Sequence, residues 1–221
     1  MTTAKHGLLK TIVAIAATTA AWTAANAQGQ LEIVYNNSSV PLNASYGSAL
    51  EFGDQVSLQG LNRDLYRFEF EYNASLAPAA SKQGLVRMYA NDGPGGAPGT
   101  LLFETDPFAL PTGQGTLDFS QIGGVKLPNQ LTWTLATAGL SGSEKFEVQL
   151  FSPPSIGKSA DDFWQKNAFG GWTLTVLSSA AGSAPANFSA RITAVPEPTT
   201  MAFVLGGLAL MGVAGYRRKN S

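Results

Sequence analysis

The sequence predicts an all-β fold, an antiparallel β-sandwich of jelly-roll type, bracketed by two hydrophobic ends. Three observations carry this prediction. Between residues 28 and 194, short β-branched and aromatic runs are separated by Gly, Pro, Asn and Asp. One of them, Leu65 to Tyr72, sets Tyr66, Phe68, Phe70 and Tyr72 against Arg67, Glu69 and Glu71. That period of two belongs to a strand with one buried and one wet face. No part of the segment sustains a helical period.

Taken in order, strands are expected at Leu31 to Tyr35, Gln55 to Leu58, Leu65 to Tyr72, Gly84 to Ala90, Thr100 to Glu104, Leu131 to Ala136, Lys145 to Phe151, Trp172 to Leu177 and Phe188 to Thr193. Short strands at turn-rich spacing are the signature of a sandwich. Asn91 to Gly99, rich in Gly and Pro, reads as a wide turn between two strands. Asp161 to Lys166 reads as a single helical turn within a loop. The sequence thus divides into residues 1–27, an ectodomain at 28–194 and a terminal segment at 195–221.

The N-terminus has Lys5 and Lys10, an Ala-rich apolar run, and small residues Ala25 and Ala27 ahead of Gln28. A basic start, a short apolar core and small residues before the cut make a secretory signal peptide, cleaved between Ala27 and Gln28 and delivered to the secretion translocon. At the other end, Pro196, Glu197 and Pro198 precede an uncharged run at about 199–216 and the basic residues Arg217, Arg218 and Lys219. The run lies near the lower limit of about 17 residues for a transmembrane helix. The basic cluster at 217–221 acts as a cytoplasmic stop that keeps the tail inside and the bulk of the chain outside. The two prolines bias Glu197 toward an extended conformation, the form in which a protease cleft takes its peptide.

Motif, apolar span and basic end, in that order at the chain terminus, resemble the PEP-CTERM sorting domain of Gram-negative bacteria. The resemblance implies that Pro196, Glu197 and Pro198 are a substrate for exosortase, a membrane-embedded transpeptidase-like enzyme. It further implies an inner-membrane intermediate, then a cell-surface or extracellular location, with an association with exopolysaccharide and biofilm. Segments 52–58, 86–93, 127–133 and 153–164 are similar to uncharacterised exported β-sandwich domains, a family that brings no catalytic residues.

Residues 28–194 hold enough chain for one domain with a sizeable core. They carry nine Lys and Arg against fourteen Asp and Glu, a net charge near −5, so no basic surface is available to nucleic acid. The chain has no cysteine, and its one histidine, His6, lies in the leader. Ser-His-Asp and Cys-His catalysis, and zinc or iron sites built on histidine, are therefore excluded from the mature protein. No enzyme activity and no cofactor are expected. Asn37, Asn43, Asn73 and Asn187 begin N-x-S triplets, read in a bacterial chain as polar composition.

Three constellations are candidates for chemistry. Asp92, with backbone carbonyls of its Gly-rich loop, is a possible Ca²⁺ ligand, against the alternative of a plain turn. Glu69 and Glu71, roughly 6–7 Å apart on one strand face, form a carboxylate pair of the kind glycoside hydrolases use, or the solvent face of the strand with cross-strand cationic partners. Trp133 shares a face with Leu131 and Leu135, and Trp172 with Leu174 and Val176, so both are expected in the core. Trp164, beside Asp161 and Asp162, is the tryptophan expected to be exposed. These three residues form a candidate ligand loop for a sugar, the basis of an alternative reading as a carbohydrate-binding, lectin-like module.

Overall fold

The computed structural model describes residues 30–77, 82–179 and 182–197. The predicted leader with its cleavage site at Ala25, Ala27 and Gln28 lies outside these residues. So do Pro198, the apolar run and the basic residues Arg217, Arg218 and Lys219. Among the described residues no helix is long and apolar enough to cross a membrane.

The described residues form fifteen strands: β1 (Glu32–Asn37), β2 (Pro41–Tyr46), β3 (Phe52–Ser57), β4 (Asp64–Ser75), β5 (Gln83–Ala90), β6 (Leu101–Glu104), β7 (Phe108–Ala109), β8 (Gly113–Ser120), β9 (Gln130–Ala138), β10 (Lys145–Phe151), β11 (Lys158–Ser159), β12 (Asp162–Lys166), β13 (Trp172–Ser179), β14 (Gly182–Ala184) and β15 (Ala190–Val195). All paired strands are antiparallel, in two sheets. The first follows the order β1-β15-β4-β10-β2 with β8 on the other edge of β4; the second follows β14-β13-β12-β3-β9-β5-β6. Leu31–Val195 is one compact unit; of a second unit, made of the two chain ends, only Gln30, Pro196 and Glu197 are described.

Strand β4 organises the first sheet. Residues 67–74 pair with β8 on one side, while β15 takes residues 64–69 and β10 takes residues 72–75 on the other. Phe68, Phe70 and Tyr72 are buried as the alternation requires. Tyr66 is not, because a register shift against β15 between Thr193 and Ala194 inserts one residue there and turns Leu65 inward instead.

The inner faces of the two sheets share one core. Trp133 of β9 lies with its ring centre 5.1 Å from that of Phe68 and 5.7 Å from that of Phe70 across the interface. Phe188 is a second hub, touching Tyr46, Phe52, Trp133 and Phe163 at centroid distances of 5.4 to 5.9 Å and, for Trp133, 6.4 Å. Such ring pairs contribute about 1 kcal/mol each beyond their burial. With no disulfide available, this packing is what closes the sandwich.

Every strand expected from the sequence occurs, with shifted ends, and β2, β8, β12 and three very short strands are additional. The segment expected as a helical turn, Asp161 to Lys166, is instead strand β12, held between β3 and β13. Tertiary pairing on both sides supplies it with ladder hydrogen bonds that a lone turn lacks. Residues 91–99 do form a turn, with a short 3₁₀ segment at Pro94–Gly96. Asn37 and Asn187 are each only 1% exposed, which fixes them as buried structural polar groups rather than modification acceptors.

Candidate functional site

The end of β15 positions the sorting motif. Ala190, Ile192 and Ala194 are buried, and β15 is flanked by β1 and β4, so its last residue, Val195, is fixed opposite Asp64. Pro196 cannot donate to the ladder, and the strand stops there. Pro196 and Glu197 are half-buried and not in regular structure. The Pro196–Glu197 segment thus follows directly on a doubly paired strand.

The predicted ligand loop does not assemble. Trp164 is only 7% exposed and donates its indole N–H to Gln55 Oε1 at 3.0 Å. It stands opposite Gly53 in the pairing of β12 with β3. A Cβ at Gly53 would meet the Trp133 carbonyl oxygen, so that position admits only glycine. Asp161 accepts from Asn187 Nδ2 at 3.3 Å, and its carbonyl accepts from Ala186 N–H, tying β12 to the segment before β15. Trp164 therefore offers no exposed sugar platform.

Trp172, expected in the core, is instead half-buried on the outer face of the second sheet, and its neighbours Leu174 and Val176 are exposed. Lys166 Nζ lies 5.0 Å from the Trp172 ring centre and Tyr89 meets that ring edge-on. Trp133 is fully buried, as expected.

Under this aromatic cover sits a charged cluster that the sequence did not suggest. Glu51 is buried and accepts from Arg87 Nη1 and Lys166 Nζ, both at 2.7 Å, from Thr134 Oγ1 at 2.7 Å and from Tyr89 Oη at 3.0 Å. Burial opposes ionisation, but these four donors outweigh it and hold the Glu51 carboxyl below the usual glutamate range. Three residues on, Asp54 is completely buried on the core face of β3, between Phe52 and Val56. Here burial dominates and pushes the carboxyl well above the usual aspartate range. The alternation Phe52-Asp54-Val56 was the available signal, but the strand was expected to start only at Gln55.

Glu69 and Glu71 line a cleft of about 100 Å³ with Ser38, Thr116, Ser189 and Arg191. That is below the roughly 300 Å³ at which ordinary ligand pockets begin. Glu69 is engaged by Arg67 at 3.2 Å and by its cross-strand neighbour Arg191 at 3.7 Å. Burial raises the Glu71 carboxyl, opposed by Arg191. Asp92 uses both oxygens on Thr100, accepting from its N–H at 2.7 Å and its hydroxyl at 2.6 Å, which closes the turn. Among the described residues no three acidic, histidine or cysteine side chains gather as a metal would require.

A β-structured ectodomain followed by a Pro-Glu-Pro segment, an apolar run and a basic end defines the class of exported proteins sorted at the membrane. The family model of the PEP-CTERM protein-sorting motif matches residues 194–219, and the chain is a PEP-CTERM sorting-domain protein. The motif brings with it export, processing by exosortase and membrane-associated sorting to the cell surface. No curated protein matches the chain.

Proposed function

We propose that this chain is a non-enzymatic surface protein. The leader of residues 1–27 starts its export, the terminal helix holds it in the inner membrane of a Gram-negative cell, and an exosortase-type transpeptidase acts on Pro196, Glu197 and Pro198. The released or re-anchored sandwich then takes its place among exopolysaccharide in the extracellular matrix. The observation that carries the sorting step is the match of the sorting motif at 194–219, beginning where β15 ends. A strand paired on both sides as far as Ala194, with Val195 still opposite Asp64, puts Pro196 just past the ladder, where a cut spares the core. The absence of histidine from residues 28–194 and the engagement of Glu69 by two arginines support a binding or structural role over catalysis.

The intact mass of the protein from native envelope and medium tests the reading. A product that begins at Gln28 and ends near Pro196 is expected, and Glu197→Ala should block its formation. A species that retains Ser221 and ignores the substitution would make the chain a permanently anchored protein.

A further inference from the structure

A concavity lies at one end of the second sheet, far in sequence from the sorting motif. It is a groove of about 700 Å³ bordered by Ser57, Arg63, Asn91, Asp92, Asn129 and Gln130, with Leu58 and Pro128 as its apolar part. That volume falls within the range of ordinary ligand sites.

Two of its amides share one arrangement: each is anchored at one end and offers the other. Asn129 Oδ1 accepts from Arg63 Nε and Nη2 at 3.0 and 2.9 Å, which leaves its NH₂ to donate. Gln130 Nε2 donates to Ser57 Oγ at 3.2 Å, which leaves Oε1 to accept. Asn91, whose Oδ1 accepts from Thr132 Oγ1 at 2.7 Å, is pinned at the border. A fixed donor beside a fixed acceptor suits hydroxyl groups, each of which both gives and takes a hydrogen bond.

Arg63 adds a charge. Its other contacts are the carbonyl oxygens of Asn62, at 2.7 Å, and Gln59, at 3.4 Å, so all of its partners are neutral. A guanidinium held rigid by neutral acceptors is preorganised for an incoming carboxylate. Asp92, the acid at the rim, already spends both oxygens on Thr100. A lone carboxylate so engaged leaves no acid pair for hydrolysis, so the groove holds its ligand rather than cutting it.

A peptide is the less suitable occupant. Strand addition needs an unpaired edge, and β9, which carries Gln130, is paired on both sides by β3 and β5. We infer that this groove is a binding site for an acidic saccharide, with Asn129 and Gln130 reading hydroxyls and Arg63 reading a carboxylate. The inference is independent of how the C-terminus is processed.

Calorimetric titration of the full-length protein at low salt tests it, with tetragalacturonate as probe and maltotetraose and tetraglutamate as controls. Tetragalacturonate should bind in preference to both controls. Arg63→Gln and, separately, Gln130→Ala should each weaken that binding roughly tenfold, the loss of one strong hydrogen bond, with the thermal midpoint of Gln130→Ala unchanged. No heat with tetragalacturonate at millimolar concentration would overturn the site. Equal affinity for tetraglutamate would reduce it to a charge contact, equal affinity for maltotetraose would remove the role of Arg63, and either result overturns the acidic-saccharide assignment.

Discussion

Glu51 and Asp54 stand three residues apart, both buried, and yet their carboxyls are shifted in opposite directions. Glu51 faces the outer side of the second sheet, where Arg87, Lys166, Thr134 and Tyr89 all donate to it. Asp54 faces the core, where its partners are Ser159 Oγ, 2.9 Å from both carboxylate oxygens, and the Phe188 N–H at 3.3 Å. Ser159 Oγ donates to the Asp54 carboxyl and also lies 3.0 Å from the Ala160 carbonyl oxygen. Burial alone therefore does not set the direction of the shift; the charge and number of donors around the group decide it too. In this sandwich one acid is held toward its anion by donors from neighbouring strands, while burial favours the protonated form of the other.

The largest effect should come from breaking the anionic side. Glu51→Gln leaves Arg87 and Lys166 close together with only Glu104 on Arg87 to neutralise them, and should cost about 3 kcal/mol in urea unfolding. A loss under about 1 kcal/mol would place the cluster with ordinary surface ion pairs.

The neutral side should respond in the opposite direction. In the unfolded chain Asp54 titrates near its ordinary value of 3.8, and in the fold well above it. Its favourable contribution is thus complete below 3.8 and is lost as pH rises through the folded value. Asp54→Asn keeps the shape and hydrogen bonds without the charge, and should raise stability at pH 7 by about 1 kcal/mol. It should also flatten the decline in stability between pH 4 and pH 7, followed by thermal melts across that range; an unchanged slope would show Asp54 ionised in the core.

A smaller effect sharpens the contrast at low pH. Lys82, whose Nζ lies 2.6 Å from Glu144 Oε1, holds that carboxyl down to about 2, helped by the Ala77 N–H. This contribution is present above the ordinary glutamate value of 4.5 and lost as pH falls from there toward 2. Glu51 loses its contribution in the same direction. Glu144→Gln should lower stability by a constant amount above pH 5 and flatten part of the acid limb below it. A variant whose acid limb matches that of the parent would show that the pair contributes nothing.

The β4 ladder was legible because it depends on alternation, a property of consecutive residues. The bulge that exchanges Tyr66 for Leu65 was not, since it is created by the register of β15, more than a hundred residues away. The tryptophans show the same limit. Trp133 was readable from its apolar neighbours, whereas Trp164 and Trp172 exchanged expected environments because Gln55 on the paired strand β3 takes the indole N–H of one, and Lys166 and Tyr89 meet the other on the outer face. Asp54 broke the habit of reading a strand carboxylate as solvent-facing.

By itself the sequence determined the all-β class and the sorting motif at Pro196, Glu197 and Pro198. It also determined the chemistry barred by the lack of cysteine and of histidine beyond His6. These are local or compositional properties, carried by neighbours along the chain. Only the tertiary structure decided which acids stay charged, which tryptophan is covered, and that Arg63, Asn91, Asn129 and Gln130 border one groove. Each of those outcomes is an electrostatic or packing balance among residues that strand pairing brings together, and that balance exists only once the sheets have closed.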